Sequence, residues 1–331
     1  MSRIIIPSAF AFAMLACASQ SAVAPPPEVP GPSGPKALTS DSEGENLIEQ
    51  KLVPNEIDPA ASQYLAPQYA YTPAGDARAE QLVVYLVGSK GVPTNGRSMG
   101  RYLAGLGFPV VIPGYPNDYD IRKLCEKKSA DPACHEQLRL EAFEGKDHSP
   151  HITVAPADST ETRVARMLKA LDQKLPAAGW GKFLDGDKPR WEQIIVSGHS
   201  HGAASAGLIA KHRKVNRAVM LSGPFDNRDD EAAAWTKRTS LTPVDRFYGF
   251  SHTGEDQHPG HLMDWAALGL AGPVTNIDNA APPFGGSRQL ITALPAAEGG
   301  NPHGTTAAGK SSPKNGSGYV YDSAWRYLFG R

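Results

Sequence analysis

Hydrophobic positions along this chain follow two patterns that alternate from about residue 81 to the end. Short, continuous apolar runs are typical of strands buried on both faces of a parallel sheet, and apolar residues at every third or fourth position predict helices between them. This alternation predicts an α/β fold in a single domain, with a mostly parallel central sheet and helices on both faces. The predicted strands are 81–88, 108–113, 191–197, 217–222, 244–251 and 289–293, and the predicted helices are 97–106, 160–175, 201–213 and 322–329.

The first 24 residues have a different pattern, which is typical of an export signal. Arg3 supplies a positive charge, an apolar run follows, and Ala16-Cys17-Ala18 fits a small-x-small cleavage site. The segment from Met14 to Cys17 also fits a lipobox, in which a lipid on Cys17 would be the only membrane contact. The sequence therefore predicts an exported protein, periplasmic or secreted, with lipid attachment as an open alternative.

The chain that follows is rich in proline and glycine as far as about residue 46. This composition cannot pack a core and is typical of an extended linker. We assign residues 25–60 to a linker or N-terminal extension and residues 61–331 to the domain. A long polar stretch at 119–160 interrupts the strand–helix alternation and is predicted to be an insertion with short helices.

Charge and cysteine content narrow the class of protein. The 33 Lys+Arg balance 34 Asp+Glu, giving a net charge of −1, which argues against a nucleic-acid-binding protein and against a polybasic membrane face. Three cysteines are too few for a disulfide scaffold. In an exported chain, Cys125 and Cys134 would meet an oxidising compartment, where we expect them to close a short disulfide loop.

The strongest chemical signal is the sequence GHSHG at residues 198–202, between a predicted strand and a predicted helix. It fits the nucleophile elbow G-x-S-x-G, a sharp turn that holds its serine in a strained backbone conformation. The helix N-terminus behind the turn favours a developing negative charge. We therefore predict that Ser200 is a nucleophile. The alternative is a serine without a catalytic role in a glycine-rich turn.

A serine hydroxyl needs a base, and with this elbow the acid and then the histidine follow the serine along the chain. His303 lies in the loop after the last predicted strand, where the base is expected. The acid is expected after the preceding strand, where Glu255 and Asp256 are adjacent and the sequence does not separate them. Asp226, one strand earlier, is a third candidate.

An oxyanion would be bound by two backbone N–H groups. One is predicted to belong to His201, directly after the serine. The other is expected from Ser89 or Lys90, in the loop after the first predicted strand, because the glycines on either side let this backbone approach closely.

Two H-x-x-H sequences, at 148–151 and 258–261, invite a metal interpretation. Neither has a third ligand at a typical spacing. Packing of loop residues is the simpler interpretation of both, and the sequence predicts no metal and no cofactor.

With these residues assembled, the chain resembles the α/β-hydrolase superfamily, and more narrowly a family of exported bacterial α/β-hydrolases without a well-assigned substrate. The resemblance implies a serine-hydrolase fold, a triad of Ser200, an acid and His303, and no cofactor. Many members carry His-Gly after the first of these strands, whereas this chain has Val87-Gly88-Ser89. The resemblance therefore leaves open which residue supplies the second backbone N–H to the oxyanion. The resemblance spans roughly residues 80–331 and rests on VVYLVGSKGVP, PGYPND, the Cys125…Cys134 pair, GWGKFLDGDKPRWEQIIVSGHSHG, MLSGPFD, GFSHTGEDQH, PPFGGSRQL and AWRYLFG.

These features predict a secreted serine hydrolase that cleaves carboxylic esters, small or polymeric, through an acyl-enzyme. A serine peptidase or amidase would use the same triad, and a non-catalytic binding protein could keep the same scaffold, so both remain alternatives. The insertion at 119–160 is expected to form a lid or substrate wall. Tyr115, Trp180 and Phe225 are candidate pocket aromatics, with ordinary core packing as the alternative for each.

Overall fold

The computed structural model describes residues 47–73, 79–228 and 230–331. The predicted export signal at 1–24, its candidate lipid site Cys17, and the linker as far as residue 46 lie outside the described residues. Across the described ranges, no helix has both the length and the apolar character needed to cross a membrane.

A nine-stranded sheet forms the centre of the described chain. Its strand order is β1-β2-β4-β3-β5-β6-β7-β9-β8. Only β2 runs against its neighbours, pairing antiparallel with both β1 and β4, and the pairs from β4 to β8 are all parallel. The strands are β1 Leu47–Leu52, β2 Gln68–Pro73, β3 Leu82–Leu86, β4 Val110–Ile112, β5 Ile194–His199, β6 Arg217–Leu221, β7 Phe247–His252, β8 Thr275–Asn276 and β9 Gln289–Thr292.

Seven α-helices of the described chain cover the two faces of this sheet. On one face, α2 meets α7 where the ring of Tyr102 packs edge-on against Trp325, with centroids 4.8 Å apart. On the other face, α3 packs against both α4 and α5, and α5 lies across β5 and β6. The helices are α1 Pro54–Ile57, α2 Arg97–Gly105, α3 Cys134–Glu144, α4 Thr160–Lys174, α5 His201–His212, α6 His258–Leu268 and α7 Asp322–Phe329.

The inner strands are buried because helices cover both faces, as their continuous apolar runs predict. Every residue of β3 is buried, and Val84 lies between Val111 of β4 and Val196 of β5. The α/β fold with a mostly parallel sheet is therefore confirmed. Two predicted strands begin later than expected, since 191–193 and 244–246 form short 3-10 turns before β5 and β7.

The N-terminal boundary of the domain needs correction. Strand β1 and helix α1 lie within residues 25–60, which the sequence analysis assigned to a linker or extension. Because β1 pairs along its full length with β2, residues 47–60 are part of the folded domain.

The insertion at 119–160 is more regular than the predicted short helices. It contains the eleven-residue helix α3 and a preceding π-helical segment, Lys123–Lys128. Cys125 and Cys134 join these two elements through a disulfide, so the predicted pair is confirmed.

Candidate active site

Ser200 occupies a sharp turn between β5 and α5. Its φ of 57° and ψ of −119° put a non-glycine residue in a sparsely populated conformation, as a nucleophile elbow requires. A Cβ at Gly198 would overlap the backbone of Gly202, and one at Gly202 would overlap the backbone of Leu86. The two glycines of the motif are therefore needed for the close approach of β3, β5 and α5.

His303 and Glu255 meet beside this turn, although they come from loops 48 positions apart. The Nδ1–H of His303 donates to Oε2 of Glu255 at 2.6 Å, and the Glu255 side chain is only 2% exposed. Burial alone would raise the pKa of Glu255, but the hydrogen bond from His303, the nearby His261 and the N–H of His252 lower it to about 2. The carboxyl group is therefore an anion that fixes the imidazole tautomer.

The other two candidate acids lie elsewhere. Asp256, next to Glu255, is exposed, and in the described chain the imidazole of His303 has its hydrogen bond and ion pair with Glu255 rather than with Asp256. Asp226 is fully buried, and both of its carboxylate oxygens accept hydrogen bonds from Arg139 at 2.6 Å. Glu255 is thus the candidate acid that the fold brings to His303.

The backbone of His303 is fastened to the serine turn. The carbonyl of His303 accepts hydrogen bonds from His199 Nε2 at 2.7 Å and from Ser222 Oγ at 2.9 Å. The rings of His199 and His303 are 4.7 Å apart. Burial, and then the nearby His303, lower the pKa of His199 to about 4, so it is neutral near pH 7. No hydrogen bond joins Ser200 Oγ to His303 in the described part of the chain.

Backbone donors for an oxyanion are available on both sides of Ser200. The N–H of His201 is the first of helix α5 and has no acceptor within the helix. In the facing loop, the N–H of Lys90 is used by the carbonyl of Asn117 at 2.9 Å, whereas Ser89 is exposed. Of the two candidates in this loop, Ser89 is therefore the one with a backbone N–H to spare for a ligand.

A cleft of about 320 Å³ opens over Ser200, His201 and Ser89. The insertion forms one wall with Tyr119, Ile121 and Arg122, and Phe225 contributes an aromatic ring, as predicted. The other two predicted pocket aromatics do not line this cleft. The hydroxyl of Tyr115 donates to the Val87 carbonyl, and Trp180 is buried beside α4.

Arg139 of α3 forms part of the floor of the cleft. Its bidentate pair with Asp226 is supported by Trp235, whose Nε1–H also donates to Asp226. Burial opposes the charge on Asp226, but Arg139 more than offsets it and lowers the pKa of Asp226 to about 2. A further Arg139 nitrogen donates to the carbonyl of His201 at 3.3 Å, which links the insertion to the start of α5.

The two H-x-x-H sequences have different environments. His258 and His261 lie in the first turn of α6 rather than in a loop, and both imidazoles contact the hydroxyl of Ser251. His148 instead contacts Glu144 within the insertion, where its side chain is half-buried. Within the ranges described, no cluster of three or more His, Cys, Asp or Glu residues is arranged to hold a metal ion.

Several groups that support the site could not be identified from the sequence. His199 was visible only as a variable position of the elbow, and Arg139 only as one charge in a polar insertion. Ser222 has a positive φ of 47°, which a sequence does not reveal. The Pro at the first turn of α6 and Gly269 at its end were the signals that could have revealed this helix.

No protein-family model and no curated protein matches the chain. Solved structures do: a candidate dienelactone hydrolase from Klebsiella pneumoniae subsp. pneumoniae is 14% identical, with a TM-score of 0.42 over 86% of this chain and 97% of the other. Esterase 2 of Thermogutta terrifontis matches in its apo form (14% identity, TM-score 0.39, 85% of this chain, 91% of the other) and phosphorylated by paraoxon (16%, 0.42, 85% and 90%). The fold assignment itself rests on the strand order and on the strand–turn–helix geometry at Ser200. On that ground the chain has an α/β-hydrolase fold.

Proposed function

We propose that this protein is an exported serine hydrolase that cleaves carboxylic esters. Ser200 is the nucleophile, His303 the general base and then the general acid, and Glu255 the carboxylate that orients His303. One observation carries the proposal: His303, whose imidazole is bound to a buried, ionised carboxylate, is hydrogen-bonded through its backbone carbonyl to His199, in the turn that holds Ser200 in the conformation of a nucleophile elbow.

The chemistry follows from these positions. Ser200 Oγ attacks the ester carbonyl carbon while His303 Nε2 takes its proton, and the carbonyl π electrons move to oxygen to form the oxyanion. The N–H groups of His201 and Ser89 stabilise that charge. Collapse of the intermediate breaks the bond to the alcohol oxygen, which receives the proton from His303 and leaves an acyl-Ser200. Water, deprotonated by His303, then releases the acid and regenerates the serine.

Two features support the exported location. The disulfide between Cys125 and Cys134 is of a kind that persists in oxidising compartments. The N-terminal sequence has the charge, apolar run and small-residue site of an export signal. Mass spectrometry of the mature chain from its native host would show whether it begins near residue 19 or carries a lipid on Cys17.

A fluorophosphonate probe tests the proposal directly. We expect the parent chain to gain one adduct mass and Ser200→Ala to gain none, with Ser98→Ala, an exposed serine in α2, labelled like the parent. A series of nitrophenyl esters from acetate to decanoate and matched nitroanilides then separates ester from amide hydrolysis. A folded parent that neither labels nor hydrolyses any of them would refute the proposal and favour a binding protein.

A further inference from the structure

A buried polar cluster lies behind Glu255, on the side away from His303. Glu255 Oε2 is occupied by His303, and Oε1 accepts from Ser251 Oγ at 2.9 Å and from the His252 N–H at 2.9 Å. Ser222 Oγ lies 3.1 Å from Oε1, but its single proton is shared with the shorter contact to the His303 carbonyl at 2.9 Å. Ser251 is completely buried near the end of β7. Its hydroxyl is therefore one of the groups that hold the carboxylate in place.

The same hydroxyl also touches both histidines of the H-x-x-H sequence. His258 Nδ1 lies 2.8 Å and His261 Nδ1 2.9 Å from Ser251 Oγ. The i, i+3 spacing at the start of α6 places both rings on one side of the helix, over the end of β7. The pair that suggested a metal site in the sequence thus converges on a single serine oxygen.

Counting protons fixes the direction of these hydrogen bonds. A serine hydroxyl has one proton and two lone pairs, whereas an ionised carboxylate only accepts. If Ser251 donates to Glu255, both imidazoles must donate to Ser251 from Nδ1. His261 then keeps a bare lone pair on Nε2, which is buried and has no partner. A second proton there would find no acceptor, and burial lowers the pKa of His261 to about 4.

We infer that Ser251, oriented by His258 and His261, is a positioning residue for Glu255. The two imidazoles direct the only proton of Ser251 to Oε1, which leaves Oε2 free to hold His303. This inference rests on the proposed function for its catalytic consequence, but the arrangement itself can be measured without turnover. The titratable groups that face the two imidazoles are Glu255, His252, His303 and His199.

The first test is Ser251→Ala. Loss of one donor to a charged carboxylate is expected to lower kcat about 10–100-fold with KM nearly unchanged. Because Oε1 then holds more negative charge, the imidazolium form of His303 is favoured. We therefore expect the acid limb of kcat/KM, and the titration of His303 in ¹H–¹⁵N NMR spectra, to move to higher pH. A purely structural role would lower kcat at every pH and leave this titration unmoved.

A matched pair at His258 tests the direction of the hydrogen bonds. In His258→Asn the amide nitrogen takes nearly the place of Nδ1 and keeps the donor, whereas His258→Leu removes it. We expect the asparagine variant to behave like the parent and the leucine variant to shift the His303 titration as Ser251→Ala does. His148→Leu, which removes a half-buried imidazole that contacts Glu144 away from Glu255, controls for loss of an imidazole.

The outcomes separate the inference from the proposed function. If folded Ser251→Ala and His258→Leu both leave kcat and the His303 titration unchanged, the positioning role is wrong. If the parent neither labels nor hydrolyses esters but both variants move the His303 titration, the proposed function is wrong and the positioning role stands. Near-ultraviolet circular dichroism of each variant establishes that it is folded. If Ser251→Ala does not fold, the milder substitutions His258→Asn and His258→Leu still test the positioning role.

Discussion

Replacing Asp226 by Asn should destabilise the protein strongly, although this residue is not the acid that binds His303. Asp226 and Arg139 are 0% and 2% exposed and share two hydrogen bonds of 2.6 Å. The substitution keeps the shape but removes one charge. Burial lowers the pKa of Arg139, but Asp226 raises it further, so in the variant a charged guanidinium stays buried without its counter-ion.

Breaking a buried pair in this way costs about 3–5 kcal/mol of unfolding free energy. For a domain of this size the unfolding entropy is about 0.6 kcal/mol/K, so Tm should fall by about 5–8 °C. The lowered pKa of Asp226 gives an independent figure, because a shift from 3.8 to about 2 corresponds to about 2–3 kcal/mol. This smaller value counts only the carboxylate, whereas the variant also leaves Arg139 unpaired.

Urea unfolding at pH 7, followed by circular dichroism, measures the loss. Asp187→Asn is the control, since its ion pair with Lys169 is exposed on both sides and should contribute nothing measurable. The ionised carboxylate of Asp226 stabilises the fold fully above the pKa that this group has in the unfolded chain. The difference in free energy of unfolding between the parent and Asp226→Asn should therefore shrink as the pH falls from about 4 to about 2. A variant within about 1 kcal/mol of the parent at pH 7 would refute the reasoning about the buried pair.

Three further predictions concern the acid, a neighbouring carboxyl group and the disulfide. Glu255→Gln should lower kcat by about 10⁴-fold by losing control of the imidazole tautomer, while Asp256→Asn should keep parental steady-state kinetics; equal losses in both would overturn the assignment of the acid. Burial and Asp226 raise the pKa of Asp264 well above 3.8, so the parent should lose stability as pH rises above about 4. Asp264→Asn has no carboxyl group to titrate, so its free energy of unfolding in urea should rise relative to the parent's between pH 5 and pH 8. A difference between the two proteins that does not change with pH would contradict the raised pKa. Replacing Cys125 and Cys134 by serine should cost about 2–3 kcal/mol in the same assay, and parental stability would show that the loop is ordered without the bond.

The sequence predicted the inner part of the fold well because burial on both faces leaves a continuous apolar run in each strand. It failed at the sheet edge, where LIEQKL of β1 mixes polar and apolar residues and follows a proline-rich segment. The two-residue strand β8 is too short to give a pattern. Edge strands are partly exposed, so their residues carry less of the hydrophobic signal.

The candidate site shows the same division. The elbow could be predicted because its requirements are local, two glycines around Ser200 between a strand and a helix. The choice between Glu255 and Asp256 depends on which of two adjacent side chains turns inward, and that is decided by the N–H of His252 and by Ser251. Contacts of this kind, which depend on side-chain orientation, cannot be predicted from the spacing of residues along the sequence.

The attachment of the insertion bears on how ligands enter the cleft. Its helix α3 is tied at one end by the Cys125–Cys134 bond and in the middle by the fully buried pair of Arg139 and Asp226. Swinging this wall outward would expose or separate two buried charges, which costs several kcal/mol. We therefore expect the cleft to keep its width before a ligand arrives, so that association is a single bimolecular step without a conformational gate. Ligands would then be selected by exclusion at the entrance, and bulky acyl or alcohol groups would be discriminated in the association rate rather than in residence time.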